Sequence, residues 1–276
     1  MENTPEENAR ATPAASLSRR LSRARERAGL SLRELAAEIR FPHSYIHRIE
    51  KGKQLPSDDL AEALDRFFQE DGLFVELLEM ARTASLPGYG DDFLLKEPTA
   101  TRMEVVTSTV VPGLFQTQDY ARALIAGGHS WKTERQIEDW VAVRLRRQRI
   151  LHRETPPYIS AIMDEAALKR PIGGRECMVS QLGRMLELVE SLYVSVQVLP
   201  FSCEVHPVPG GSVTLLTMPD GASVGYVEGV MVGETIERPE RVLDVKRKLD
   251  VARSLALPDR ESMDLIRKYV KEHRDG

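Results

Sequence analysis

Residues Gly29 to Lys53 read G-L-S-L-R-E-L-A-A-E-I-R-F-P-H-S-Y-I-H-R-I-E-K-G-K, and this stretch decides the fold of the N-terminal region. Ser31 followed three residues later by Glu34 is the pattern of a capping box, in which each residue satisfies a backbone N–H of the other. Leu35, Ala36 and Ile39 then recur at helical spacing, and Pro42 ends that helix because it has no N–H to donate. A second helix is expected from near His43 to the turn at Gly52, burying Ile46 and Ile49. Two short helices joined by a turn leave His43, Ser44, His47 and Arg48 on the outer side of the second. Polar side chains so placed can reach base edges in a major groove. Periodicity alone also fits a plain helical hairpin.

Working outward, Leu17, Leu21, Ala24 and Ala28 predict a helix before the motif. Leu60, Ala63, Leu64 and Phe67 predict one after it, opened by Pro56 and Ser57, and Leu73, Leu77, Leu78 and Ala81 predict another. Together they predict an all-α five-helix module over 16–85. Residues 1–15 read as a disordered tail: polar, proline-containing and without the apolar run of a signal peptide. Residues 86–98, with two prolines, two glycines and paired aspartates, read as a linker.

Charge is distributed unevenly. The whole chain carries a net charge of −4, yet residues 16–55 hold ten Lys and Arg against four Glu, and residues 56–99 hold three against eleven Asp and Glu. A basic block followed by an acidic one suits a DNA-facing surface backed by a repelling one, although solvated helix faces also give charge runs. Lys51 and Lys53, just beyond the second helix, are placed to hold phosphates, and Arg33 completes the candidate DNA-contacting set. No stretch approaches the ~20 apolar residues of a membrane span, so no membrane partner is expected. Two cysteines, Cys177 and Cys203, make a disulfide framework a poor fit and point to the cytoplasm.

The order of residues carries more than their periodicity. G-L-S-x-x-E-L-A followed by Y-I-x-R-I-E-x-G-K resembles the Xre family of helix-turn-helix repressors and antitoxins. That resemblance implies a structural pair between Arg25 in the first helix and Glu50 late in the recognition helix. Two positions depart from the family pattern: Leu32 stands where many members carry a base-contacting glutamine, and Arg40 where a turn glycine is usual. A non-glycine residue in a left-handed turn costs about 1 kcal/mol, so the turn either carries that strain at Arg40 or is built another way.

Residues 99–276 change character and predict an α+β domain around a mixed sheet. Val105–Val111 and Tyr158–Met163 are strand-like, Glu176–Leu192 is helical and Val194–Leu199 is a strand again, an order that suggests a right-handed crossover between parallel strands. Ser212–Met218 and Ser223–Glu228 flank Pro219, Asp220 and Gly221, a hairpin signal. Further helices are expected from Asp119, over Thr133–Arg153, over Pro239–Ser254 and over Arg260–Glu272.

Catalytic chemistry is sparse in this half, and no enzyme, metal or cofactor is expected. Cys203 and His206 form a lone C-x-x-H, whereas a structural zinc takes four ligands. Asp164 and Glu165 are adjacent on an extended chain and so point to opposite faces. Gly173-Gly174 and Gly210-Gly211 read as turn glycines without the spacing of a phosphate loop. The arginine-rich helix holds more. Trp140, Arg144, Arg147, Gln148 and Leu151 share one side at steps of three and four, while Arg146, Arg149 and Arg153 point elsewhere, into solvent. Arginine beside buried apolar groups calls for a carboxylate or phosphate partner. Two readings stand: an internal salt bridge to Glu165 or Glu228, or an anion or small-ligand pocket.

Four blocks in this half, V-V-P-G-L-F-Q-T-Q-D-Y-A-R-A (110–123), V-A-V-R-L-R-R-Q-R-I-L (141–151), M-D-E-A-A-L-K-R (163–170) and V-S-V-Q-V-L-P-F (194–201), are continued by Y-V-E at 226–228. They resemble the C-terminal domain of WhiJ-like, antitoxin-like regulators of filamentous actinobacteria, which carry an Xre helix-turn-helix in front of it. The resemblance implies transcriptional control, with a small partner protein encoded by a neighbouring gene or a small-molecule ligand as the signal. Gln116, Tyr120, Arg144, Arg147, Gln148, Glu165 and Glu228 form the candidate ligand or partner pocket. The expected molecule is a homodimeric, sequence-specific regulator on double-stranded DNA with an inverted-repeat operator. Two alternatives remain: an antitoxin that neutralises a toxin and uses DNA binding for autoregulation, and a ligand-processing enzyme fused to a DNA-binding module.

Overall fold

The computed structural model describes residues 13–83, 91–229 and 233–276. The chain divides into two compact units between Leu86 and Pro87.

The first unit is all-α. Helix α1 (Pro13–Arg27) buries Leu17, Leu21 and Ala24 along one stripe. It starts inside the stretch read as a tail, the rest of which lies outside the described residues. Helix α2 (Leu32–Ile39) opens with the expected capping box: Ser31 N–H donates to Glu34 Oε2 (2.7 Å) and Glu34 N–H to Ser31 Oγ (3.2 Å). Arg40 ends it in the left-handed region (φ 57°, ψ 43°), its N–H returned to the Ala36 carbonyl. The strain therefore sits at Arg40. Helix α3 (His43–Glu50) follows Pro42 and buries Ile46 and Ile49.

Ser57 caps α4 (Asp58–Phe68), and α5 (Leu73–Thr83) closes the unit. The entry of α5 is fixed by a residue that periodicity did not single out. The Asp65 carboxylate, on α4, accepts from the Phe74 (2.8 Å) and Val75 (3.0 Å) N–H groups. All five helices contribute to one core, which includes Leu17, Leu35, Ile46, Leu60 and Phe74.

The second unit begins earlier than the expected linker allows. Within 86–98, residues to 90 lie outside those described, but α6 (Asp91–Lys96) and a 3-10 turn (Glu97–Thr99) are ordered structure, with Phe93 and Glu97 buried. The strands are β1 (Arg102–Thr107), β2 (Tyr158–Asp164), β3 (Val194–Leu199), β4 (Ser212–Thr217), β5 (Ser223–Glu228) and β6 (Gly233–Ile236). They form one mixed sheet in the order β3-β2-β1-β4-β5-β6. β1, β2 and β3 run parallel, and the pairs β1/β4, β4/β5 and β5/β6 are antiparallel.

Helices α7 (Gln118–Gly128) and α8 (Glu134–Arg147) connect β1 to β2. Helices α9 (Ala166–Lys169) and α10 (Arg175–Leu188) connect β2 to β3. Helix α11 (Pro239–Leu255) lays Val242, Val245, Leu249 and Ala252 on the sheet face that carries Val106, Ile162, Val213 and Leu215. Helix α12 (Asp259–Asp275) packs on α10 and β3.

Three boundaries differ from expectation. β1 occupies 102–107 rather than 105–111, because Val110 and Val111 leave the sheet to build a loop closed by Thr107, whose hydroxyl donates to the Val110 carbonyl (2.8 Å). The helix expected over 133–153 is α-helical only to Arg147 and tightens into a 3-10 segment over Gln148–His152. Such a tightening satisfies carbonyls that a helix end leaves orphaned. The helix expected over 176–192 ends at Leu188.

Candidate nucleic-acid interface and C-terminal cavity

In the first unit, helix α3 turns Ile46 and Ile49 into the core and leaves His43, Ser44, His47 and Arg48 exposed. Lys51, Lys53 and Arg33 are exposed as well. The Arg48 guanidinium lies 5.9 Å from the Tyr45 ring centroid and donates from Nε to Gln54 Oε1 (3.1 Å). Tyr45 is held in turn, its hydroxyl accepting from the Ser57 N–H (2.8 Å). Tyr45 and Gln54 thus position the longest candidate reading side chain, a role not visible from helix periodicity. Leu32 is half-buried against the core and cannot serve as an exposed polar contact.

Two interactions lock α3 to its scaffold. Arg25 grips Glu50 with two bonds, Nε to Oε1 (2.7 Å) and Nη2 to Oε2 (3.0 Å), and donates from Nη1 to the Leu30 carbonyl (2.9 Å). The Glu50 carboxylate holds the Arg25 guanidinium above its ordinary pKa. Ser18 of α1 donates to the Ile49 carbonyl (2.7 Å), satisfying one of the acceptors that the C-terminal turn of α3 leaves open.

In the second unit a concave cavity of about 270 Å³ opens over the sheet face opposite α11. Strand alternation builds its floor. Register places Glu228, Ser212 and Thr107 in one row across β5, β4 and β1, and Tyr226, Thr214 and Val105 in the next. Phe93 stacks on Tyr226 with centroids 4.5 Å apart and planes 25° apart. Gly211 is required at the polar end, since a Cβ there would stand 2.5 Å from the Glu228 carbonyl.

Arg144 and Arg147 both line this cavity. Arg147 holds Glu97 with two parallel bonds of 2.7 Å, and the Glu97 side chain is 4% exposed. Arg144 donates to Gln116 Oε1 (2.9 Å), and Gln116 donates onward to the Val111 carbonyl (2.7 Å). Glu228 is pushed above the ordinary carboxylate range by burial, which the positive charges of Arg144 and Arg147 and the Ser212 hydroxyl only partly offset.

Of the seven candidate pocket residues, Gln116, Arg144, Arg147 and Glu228 line the cavity. Tyr120 and Gln148 stand behind it. Tyr120 is fully buried, its hydroxyl accepting from the Val111 N–H (3.1 Å), and burial raises its pKa to about 12. Gln148 donates to the Gly113 (3.0 Å) and Gln116 (2.7 Å) carbonyls, clamping the loop that forms the cavity lip. Glu165 does not belong to the site. It accepts from the Tyr269 hydroxyl (2.7 Å) and from the Phe201 N–H (2.7 Å), tying α12 to the end of β3.

The carboxylate on Arg147 is Glu97, which the sequence had placed in a linker. Arg149 and Arg153 are exposed, as expected for solvated positions, but Arg146 is half-buried. Cys203 points its thiol at the Leu255 carbonyl (3.7 Å), and His206 Nδ1 accepts from the Val208 N–H (3.0 Å). Among the described residues no cluster of three His, Cys, Asp or Glu side chains gathers in metal-binding geometry, and no helix is long and apolar enough to cross a membrane.

Comparison with known families matches both units. A helix-turn-helix domain family matches residues 16–78, and the family described as Domain of unknown function (DUF5753) matches residues 91–268. No curated protein and no solved structure matches the chain. The second match spans most of the chain and the whole sheet with its cavity, so the chain belongs to the DUF5753 family and carries a helix-turn-helix domain in front of that family's domain.

Proposed function

We propose that this protein is a sequence-specific transcriptional regulator of the Xre type, whose WhiJ-like C-terminal domain receives a signal from a small partner protein or ligand. The observation that carries the reading is the state of α3. Its exposed side presents only short or flexible polar groups suited to base edges, while its buried side and its last turn are locked to α1 by Ile46, Ile49, Ser18 and the Arg25–Glu50 pair. A reading helix needs that rigidity, because contacts to base edges depend on its angle in the groove.

One such helix covers a few base pairs, so the functional unit is a homodimer on an inverted repeat, with Lys51, Lys53 and Arg33 holding phosphates. Genomic binding-site mapping, with and without the neighbouring gene, tests the reading. Discrete inverted-repeat sites whose occupancy changes with the neighbour are expected. Diffuse, salt-sensitive coverage without a motif would overturn it.

A further inference from the structure

Resting on the reading of the second unit as the signal-receiving part, we propose that its cavity binds an uncharged amphipathic small molecule. The molecule's apolar body lies on Val105, Met103 and the Phe93–Tyr226 stack, and its head, carrying both a donor and an acceptor, lies between Ser212, Glu228 and Arg144. The size comes first. Close-packed interiors hold few voids larger than a water, whereas this one has room for about nine waters at ~30 Å³ each. It is concave and lined by aliphatic and aromatic groups together with polar ones, among them Glu228, Ser212 and Thr107 at one end of the floor, and such a mixed concave lining suits a small molecule.

Charge balance selects the class of head group. The cavity holds two guanidinium groups, Arg144 and Arg147, and two carboxyl groups, Glu97 and Glu228. Arg147 is paired with Glu97, Nε and Nη2 each donating to one carboxylate oxygen, and Arg144 is engaged by Gln116 and acts on Glu228. A ligand carboxylate or phosphate would add a negative charge beside Glu228. A ligand ammonium would add a positive one beside the two arginines. Either leaves a poorly matched charge beside half-buried groups that already have partners, which is costly. A neutral amide, or a lactone bearing a hydroxyl, satisfies the Glu228 carboxylate with a donor and Arg144 or Ser212 with an acceptor at no such cost.

The sheet arrangement supports the same orientation. The row Glu228, Ser212, Thr107 is polar throughout, the next sets Val105 beside Thr214 and Tyr226, and the third, Met103, Leu216 and Val224, is apolar. The head therefore lies at the C-terminal end of β1 and the body over its middle.

Titration calorimetry on the full-length protein with p-propylbenzamide, p-propylbenzoate and p-propylbenzylamine tests this, since the three share one apolar body and differ in charge. The amide should bind, and each ion should bind about tenfold or more weakly, for want of a matching charge. Thr214→Phe, which fills the middle of the floor, should abolish amide binding. Glu228→Gln, which leaves one unmatched positive charge, should reverse the order so that the benzoate binds best.

Saturable binding of the benzoate to the wild type at least as tight as the amide would overturn the proposal in favour of an anion site. So would no amide binding up to its solubility limit, or amide binding unaffected by both substitutions. The same preparation is tested for selective DNA binding. Selective DNA binding without amide binding removes only the cavity proposal, whereas amide binding without any DNA preference removes the regulator reading and leaves the cavity.

Discussion

Arg25 and Glu50 face each other across the first unit with two hydrogen bonds of 2.7 and 3.0 Å, their side chains 14% and 7% exposed. Removing one partner strands the other as a mostly buried charge, which costs about 3 to 5 kcal/mol when burial is complete. Glu50→Ala should therefore destabilise the first unit by roughly 3 kcal/mol, near the low end of that range because some solvent reaches Arg25. Glu38→Ala removes a similar charge from an exposed position and should fall within about 0.5 kcal/mol of the wild type. Amide hydrogen exchange of α1 to α5 in the full-length protein measures both, and equal protection in the two variants would reduce Glu50 to a surface charge.

Asp65 is 6% exposed and supplies both of its oxygens to the first turn of α5. Asp65→Ala leaves the Phe74 and Val75 N–H groups without their acceptor, so a loss of about 1 to 3 kcal/mol is expected. The loss should appear as early exchange of α5 while α2 and α3 stay protected at low denaturant. Unchanged exchange in α5 would show that water replaces the carboxylate there.

Glu228 makes a pH signature. Its pKa is raised above the usual 4.5 by burial, so the folded state holds its proton more tightly than the unfolded chain. The stability this proton contributes is full below the unfolded value and is lost as pH rises through the folded one. Glu34 and Glu234 are shifted downward by their hydrogen bonds to Ser31 and Arg241. Their contributions run the other way, present at higher pH and lost as pH falls, and they cancel when wild type is compared with Glu228→Gln. The two proteins should melt alike near pH ~4 and diverge as pH rises, the wild type becoming the less stable. Parallel curves across that range would show that Glu228 is not held in a desolvated site.

The helix-turn-helix was legible because its determinants are local. Ser31 and Glu34 are three residues apart, the Ile46 and Ile49 stripe is one turn, and Pro42 acts on its neighbours. The Arg25–Glu50 pair was reachable only through family resemblance, since 25 residues separate the partners. Long-range satisfaction of polar groups was not legible. Glu97 lies 50 residues from Arg147, in a stretch whose proline and acidic residues resemble a linker until the arginine partner is known. Glu165 finds Tyr269 across 104 residues, and no local pattern distinguishes that outcome from a bond to the arginine helix. Val110 and Val111 have strand composition, but they serve the cavity lip because Tyr120 and Gln116 capture the backbone of Val111.

The proposed dimer has a geometric consequence. Two reading helices related by a twofold axis meet half-sites about 34 Å apart, or a multiple of that spacing. Sedimentation of the protein on a duplex carrying its site should give two chains per duplex, with footprints on both half-sites. One chain on an asymmetric site at working concentration would rule out the symmetric arrangement.

The most direct measurement of the central claim is selection of binding sites from randomised duplex DNA by the full-length protein, followed by affinities of Arg48→Ala and Lys53→Ala for the selected site and for random duplex. Selection should enrich an inverted repeat. Arg48→Ala should cost roughly 1 to 3 kcal/mol on the selected site and much less on random DNA, whereas Lys53→Ala should weaken both alike and lower the salt slope by about one unit. No enriched motif, or equal loss on both duplexes for Arg48→Ala, would contradict the assignment of α3 as the reading helix.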